Sequence, residues 1–170
     1  MNDVKINSHA YRVGQLVKAL LIKAGLTERD ANEIGACAAF HDVGKAFIPQ
    51  SILRKPGRLT EDEFIEVKKH SEKGADFLEK AIPSHPIAAV LAREHHERAD
   101  GKGYPAGLTD KEVPFEAGVC GVADAFEALC AERCYKDPLA PETAWTMILN
   151  GDFGIVYSSK KMIVHKETNL

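Results

Sequence analysis

Three short motifs place histidines, carboxylates and cations close together in this chain of 170 residues. The first is His41-Asp42-Val43-Gly44-Lys45. An imidazole and a neighbouring carboxylate can bind one borderline metal ion, and the second carboxylate oxygen can reach another ion. Lys45 lies three residues after Asp42 and four after His41, so on a helix the three side chains would share one cleft. The motif predicts a metal site with a cation for a phosphate oxygen.

A solvated surface cluster is the alternative interpretation of the same motif. The preceding segment, residues 36–40 with the sequence ACAAF, is apolar and indicates burial. Because a buried charged pair needs partners, these flanks favour a site over a surface cluster.

The second motif is HHER at 95–98, followed by DGKGYP at 100–105. Consecutive imidazoles point about 100° apart on a regular helix, so His95 and His96 can share a metal only near a helix end or with a second ion. The glycines of the following loop let the backbone approach a ligand, and its proline stiffens the loop. A plain loop with an exposed histidine pair is the alternative.

The third motif is Asp124, an acid within the largely apolar run 118–129. A buried carboxylate must be paired, hydrogen-bonded or metal-bound. Arg133 and Lys136 follow and are candidates for a phosphate clamp. Together with His9 and His70, the motifs supply enough imidazole and carboxylate groups for two metal ions.

These residues, in this order, resemble a known enzyme superfamily. His9, His41-Asp42 and Asp124 are similar to the HD metal-dependent phosphohydrolases. The fuller pattern resembles the HD-GYP branch over roughly residues 9–151, through His41-Asp42-x-Gly44-Lys45, His70, His95-His96 and Gly103-Tyr104-Pro105.

The resemblance implies a metal-dependent phosphodiesterase with a compact helical domain. Family members hydrolyse cyclic di-GMP to pGpG, in some cases on to GMP, and some prefer cyclic GMP-AMP. Two ions in such a site can share a bridging hydroxide that attacks phosphorus in line. Asp42 and Lys45 would then be catalytic, Lys45 by stabilising charge on the phosphoryl oxygens. Substrate contacts are implied for Lys45, Tyr104, Arg133 and Lys136.

The resemblance also implies the distribution of ligands between the ions. One ion would be held by His9, His41, Asp42 and Asp124, and the other by His70, His95 and His96 with Asp42 bridging. Some members have a Glu four residues before the first histidine, where this chain has Lys5, so two ions are expected rather than three. The usual Asp three residues after the last ligand is Glu127 here, which puts that supporting contact in doubt.

Metal identity stays open at this point, because imidazole and carboxylate ligands suit iron, manganese, zinc, cobalt and nickel. The resemblance favours iron or manganese. His85 and His165 are expected to lie outside the ligand set.

The elements that must position these residues are predicted from helical periodicity. Thr27 can cap a second helix, Thr60 opens a capping box, and Ser84 is a candidate cap. Loops are expected at 49–57 and 99–114, and helices at about 8–24, 27–45, 60–80, 88–98, 115–134 and 141–149.

The fold class is therefore all-α, a compact helical bundle of about six main helices. Residues 1–170 are expected to form a single domain whose tail, 152–170, matches the family poorly. No alternating strand pattern of useful length is present.

Composition narrows the function classes. The net charge of −3, from 22 basic and 25 acidic residues, argues against binding to long nucleic acid. No signal peptide or membrane-spanning segment is recognised, so a cytoplasmic location is expected. Buried free thiols in a reducing compartment are the expectation for Cys37, Cys120, Cys130 and Cys134.

Two alternatives to a cyclic di-GMP phosphodiesterase remain open. One is a catalytically weak cyclic-dinucleotide sensor or a docking module for a diguanylate cyclase. The other is an HD phosphohydrolase for another nucleotide. A separate sensor domain and a second copy of the chain are candidate partners.

Overall fold

The computed structural model describes residues 9–131, 137–152 and 154. Over these residues it contains eight α-helices and one 3₁₀ helix, and the β-structure described there is the single bridge between Asp100 and Thr109. The predicted all-α fold is confirmed. The elements are α1 (His9–Lys23), α2 (Glu28–Ala38), the 3₁₀ helix η1 (Val43–Phe47), α3 (Gln50–Leu53), α4 (Glu61–Lys68), α5 (His70–Ala81), α6 (Pro86–Glu94), α7 (Phe115–Cys130) and α8 (Pro141–Leu149).

The core lies around α7, which is apolar along most of its length. It packs against α1, α6 and α8, while α1 also packs on α2 and α5 packs on α6. Val17 of α1, Leu91 of α6 and Val122 of α7 are fully buried. Burial of each such side chain stabilises the fold by about 1.5–3 kcal/mol. The helices that carry or adjoin His9, His95 and Asp124 therefore share one core.

Two of the three predicted N-terminal caps are present. The Thr27 hydroxyl accepts a hydrogen bond from the Asp30 N–H at 3.1 Å. At Thr60 the capping box is complete, because Glu63 also accepts from the Thr60 N–H at 2.7 Å. The predicted Ser84 cap is wrong: its hydroxyl contacts the His85 ring, and α6 begins at Pro86 with no side-chain cap.

The predicted helix 27–45 is wrong in its second half. Helix α2 ends at Ala38, the chain turns through His41 and Asp42, and the 3₁₀ helix η1 follows. Tight packing explains the change, since a β-carbon on Gly44 would lie only 1.9 Å from the carbonyl oxygen of His70. Segment 41–45 is thus shaped by α5 rather than by helical propensity.

The predicted helix 60–80 is divided at Lys69 into α4 and α5. Helix α4 has no buried residue, whereas α5 buries one face that includes His70 and Gly74. The break lets α5 turn this face toward the core while α4 stays at the surface. The predicted loop 49–57 also contains α3, a helix of four residues.

Two predicted helices end earlier than expected. Helix α6 stops at Glu94, which leaves His95 at its C-cap. Helix α7 stops at Cys130, where Ala131 adopts an extended conformation. Cys37 and Cys120 are buried free thiols, Cys130 is a half-buried one, and Cys134 lies outside the described residues. None of the helices that the structure describes is long and apolar enough to cross a bilayer.

Candidate metal centre

The fold brings all seven predicted ligands to one region between α1, α5, α6 and α7. Each comes from a point where an element begins, ends or turns, or from the buried side of α7. His9 is the first residue of α1, His41 and Asp42 form the turn before η1, His70 begins α5, His95 and His96 directly follow α6, and Asp124 lies on α7.

Asp42 lies at the centre of the cluster, and its two carboxylate oxygens face different histidines. Oδ2 is 3.4 Å from Nε2 of His41 and 3.8 Å from Nε2 of His9. Oδ1 is 3.3 Å from Nε2 of His70 and 3.9 Å from Nε2 of His95. One carboxylate is therefore placed to serve two neighbouring groups of ligands.

The Asp124 carboxylate lies beside His9 and His41, the histidines that face Asp42 Oδ2. Asp124 Oδ1 is 3.2 Å from Nε2 of His9 and 3.8 Å from Nε2 of His41. Hydrogen bonding to Asp124 raises the pKa of His9, so a cation at His9 would displace a proton.

The second group consists of Asp42, His70, His95 and His96. The first group consists of His9, His41 and Asp42. Within each of the two groups the candidate ligand atoms lie within 4.8 Å of one another. The cluster can therefore hold metal.

Three imidazoles are held in one tautomer by the backbone. Nδ1 of His41 lies 2.8 Å, and Nδ1 of His70 2.7 Å, from the carbonyl oxygen three residues earlier. Nδ1 of His95 lies 2.9 Å from the carbonyl oxygen four residues earlier. Because a carbonyl can only accept, each Nδ1 carries the proton and each Nε2 presents a lone pair.

These lone pairs have no partner within the described residues. Nε2 of His41, His70 and His95 and Oδ1 of Asp42 are all buried without a hydrogen bond. Leaving one such group unsatisfied costs about 1–3 kcal/mol. A divalent cation is bound by lone pairs of this kind. The four atoms lie close together and have no other partner in the part of the chain that the structure describes, so these residues fit a metal ion.

The charge states also suit metal binding. Burial lowers the pKa of His95 to about 3 and holds that of His96 well below its usual value, so both rings are neutral, the form that can bind a metal ion. Burial alone would raise the pKa of Asp42. The Lys45 ammonium, which is ion-paired with Asp42 Oδ2, acts in the opposite direction, and the pKa of Asp42 stays below its ordinary value.

His9 is supported by a second layer that includes a residue missed in the sequence. The buried Glu127 carboxylate bonds Nδ1 of His9 through Oε2, and its Oε1 accepts from Arg12 Nε at 2.6 Å. The sequence left it in doubt whether Glu127 could replace the usual Asp in this contact. The structure shows that the longer side chain does reach His9. Arg12 lies three residues after His9 on α1, and this spacing was the available signal.

Comparison of the sequence with known protein families identifies the family of this chain. The family model described as "HD domain" matches residues 1–152. The chain belongs to the HD domain family. The membership expected from the motifs is confirmed.

Relatives of this HD domain are named for cyclic dinucleotides. It is 40% identical over 147 residues to a "Cyclic di-GMP phosphodiesterase" of Thermotoga maritima, covering 86% of this chain and 40% of the relative. It is 39% identical over 136 residues to a "3'3'-cGAMP-specific phosphodiesterase 2" of Vibrio cholerae, covering 79% of this chain and 26% of the relative. The HD domain thus spans less than half the length of these relatives.

A solved structure shares the fold. The chain matches "Bd1817, a HDG"Y"P protein" from Bdellovibrio bacteriovorus with a TM-score of 0.68 and 21% sequence identity. The match covers 91% of this chain and 49% of that chain.

Lys45 and Tyr104 both adjoin the histidine and aspartate cluster. The Lys45 ammonium is ion-paired with Asp42 Oδ2, and its side chain is 44% exposed. The Tyr104 ring lies against His96, with ring centroids 4.6 Å apart, and 6.3 Å from His70. Both are therefore within reach of a molecule bound at the cluster.

Glu97 organises the loop that carries Tyr104, a role that the sequence did not reveal. Its carboxylate is fully buried and accepts backbone N–H groups of Ala106, Gly107 and Leu108 at 2.7, 3.2 and 2.9 Å. A β-carbon on Gly103 would lie 2.4 Å from Glu97 Cα, so the loop closes directly on this residue. The acid beside the histidine pair was the only signal.

The other predicted positions lie elsewhere in the HD domain or beyond the described residues. His85 is exposed at the start of α6 and belongs to neither ligand group. Arg133, Lys136 and His165 lie outside the described residues.

Proposed function

We propose that this HD domain is a metal-dependent phosphodiesterase that hydrolyses cyclic di-GMP to pGpG, with GMP as a candidate end product. The observation that carries the proposal is Asp42, whose two oxygens serve two groups of orphaned histidine nitrogens. The names of relatives at about 40% identity support the substrate class. Residues 1–170 acting as one catalytic domain is part of the proposal.

Two divalent ions are proposed for the centre, with the seven ligands divided as the resemblance implies. His9, His41 and Asp124 would hold one ion. His70, His95 and His96 would hold the other, and Asp42 would contribute to both. Imidazole and carboxylate ligands suit a borderline metal, with iron or manganese favoured over zinc, cobalt and nickel.

The chain's own residues would bind and orient the substrate. Ions at the centre would supply Lewis acidity toward the scissile phosphate and the attacking water. Lys45 can exchange its contact with Asp42 for a phosphoryl oxygen that gains charge as the bond breaks. Burial raises the pKa of Tyr104, so its hydroxyl stays protonated and can donate to the substrate. Arg133 and Lys136 are proposed as further phosphate contacts.

The proposal is tested with protein purified anaerobically and loaded with iron or manganese. We expect cyclic di-GMP to be converted to pGpG, a chelator to stop the reaction, and the metal to restore it. Bound metal measured on the same sample should approach two ions per chain. A metal-replete protein that binds cyclic di-GMP without turnover would instead indicate the sensor function.

Cyclic GMP-AMP is the second candidate substrate. The relative from Vibrio cholerae named for this nucleotide is 39% identical to the chain, almost as similar as the one named for cyclic di-GMP. Competition between the two nucleotides in the same assay gives the ratio of their kcat/KM values.

Replacing Glu127 with glutamine should weaken the metal group that contains His9. The glutamine amide is uncharged and has one oxygen, so it cannot accept hydrogen bonds from both His9 Nδ1 and Arg12 as the carboxylate does. Loss of such a supporting carboxylate typically costs about 10- to 100-fold in metal affinity. Metal titration should show that one ion per chain binds more weakly than in the parent and that the affinity for the other is unchanged. Glu116→Gln on the same helix is the control, and equal affinities in the two variants would contradict the supporting role.

A further inference from the structure

Helix α4 presents an exposed aromatic ring beside the metal centre. None of its residues is buried, and Phe64 is 45% exposed. The Phe64 ring meets the Tyr104 ring edge to face, with centroids 6.3 Å apart. Nearly half of this side chain is therefore open to solvent and accessible to a ligand.

Lys68 lies one turn further along α4 and places its charge over the same rings. Its Nζ is 4.8 Å from the Phe64 centroid and 5.5 Å from the Tyr104 centroid. Neighbouring lysines are paired differently, since Lys69 contacts Glu66 and Lys55 contacts Glu63. Within the described residues no carboxylate lies within 4.0 Å of the Lys68 ammonium.

This cation and aromatic pair is continuous with the metal ligands. Tyr104 contacts Phe64 and Lys68 and also the His96 ring, at 4.6 Å between centroids. Lys68 is also only two residues before His70, the buried first residue of α5. A molecule bound at the ions and extending past Tyr104 would meet the two α4 side chains next.

We propose that Phe64 and Lys68 bind the part of the substrate that is not held at the ions. Phe64 would stack on a base, and Lys68 would contact the phosphodiester that is not cleaved. The inference rests on the proposed function, because a cyclic dinucleotide has two phosphates and two bases and only one phosphate can occupy the ions. An aromatic face accepts any base, and an ammonium without a carboxylate partner is available to a phosphate.

The expected signature is a change in KM without a change in kcat. The second phosphate and its base are bound alike before and during bond cleavage, so these contacts stabilise ground and transition states equally. Lys68→Ala should raise KM about tenfold, the effect of losing a hydrogen bond to a charged group. Phe64→Ala should raise KM about tenfold through loss of stacking. In both variants kcat should stay within about twofold.

Matched controls separate substrate binding from a general surface effect. Lys69→Ala removes an adjacent lysine that is paired with Glu66, and Phe77→Ala removes a phenyl ring that is 43% exposed elsewhere on the surface. Both should leave KM unchanged. Lys68→Arg and Phe64→Tyr keep the cation and the ring, so KM should stay within about threefold of the parent value.

Bound metal and the unfolding temperature are measured for every variant. Equal values across the set, with KM raised only in Lys68→Ala and Phe64→Ala, support the inference. A parent enzyme that hydrolyses cyclic di-GMP while both variants keep its KM overturns the inference and leaves the proposed function standing. Loss of bound metal or of kcat overturns it in favour of an indirect effect through Tyr104 or His70. A metal-replete parent that neither binds nor hydrolyses the nucleotide overturns both.

Discussion

Replacing Asp42 with asparagine should reduce hydrolysis of cyclic di-GMP by at least about 10³-fold. The carboxylate divides its two oxygens between the histidine groups, with Oδ2 3.4 Å from His41 Nε2 and Oδ1 3.3 Å from His70 Nε2. Asparagine keeps the shape but has one oxygen and no charge, so it can serve one group at most. Both the number of ions bound and their Lewis acidity toward phosphate should fall.

The measurement compares turnover and bound metal in parallel for Asp42→Asn and the parent. His85→Ala is the control, because this exposed histidine at the start of α6 belongs to neither ligand group. It should keep full activity and metal content. An Asp42→Asn protein with two tightly bound ions and near-normal turnover would contradict the shared role of the carboxylate.

Replacing Gly44 with alanine should lower the free energy of unfolding by about 3 kcal/mol and also deplete the metal centre. An added β-carbon would lie 1.9 Å from the carbonyl oxygen of His70 and 2.6 Å from the backbone nitrogen of Gly74. Both neighbours are backbone atoms, so η1 and α5 would have to separate. The separation would move Asp42 away from His70.

Denaturant unfolding and metal titration test both parts of the Gly44 prediction. Ala46→Ser is a matched control, because Ala46 is an exposed residue of the same 3₁₀ helix. Its free energy of unfolding should change by no more than about 0.5 kcal/mol. If Gly44→Ala unfolds at the same denaturant concentration as the parent, the close contact between η1 and α5 is not required.

Much of the helical architecture was predictable because it depends on short-range features. Val13 and Val17, one helical turn apart, are both fully buried on α1, and Gly25, with a φ of +95°, follows the end of that helix. The caps at Thr27 and Thr60 are local side-chain to backbone contacts, so they can be recognised from a few adjacent residues.

Helix interruptions were not predictable in the same way. The turn through His41 and Asp42 and the break at Lys69 both lie in stretches whose periodicity continues without a proline. The turn is explained by the packing of η1 on α5, backbone against backbone at Gly44. Such a contact joins residues far apart in sequence and can override local helix propensity.

The sequence by itself determined which residue types are available to the site: the order of histidines and aspartates, the Gly-Tyr-Pro loop and the apolar run around Asp124. Only the tertiary structure decided how they are used, with the two oxygens of Asp42 facing different histidines and Arg12 and Glu127 supporting His9. The reason is physical. Motifs list donors and acceptors, whereas the direction of each lone pair depends on which backbone carbonyls and buried carboxylates the packed helices place beside it.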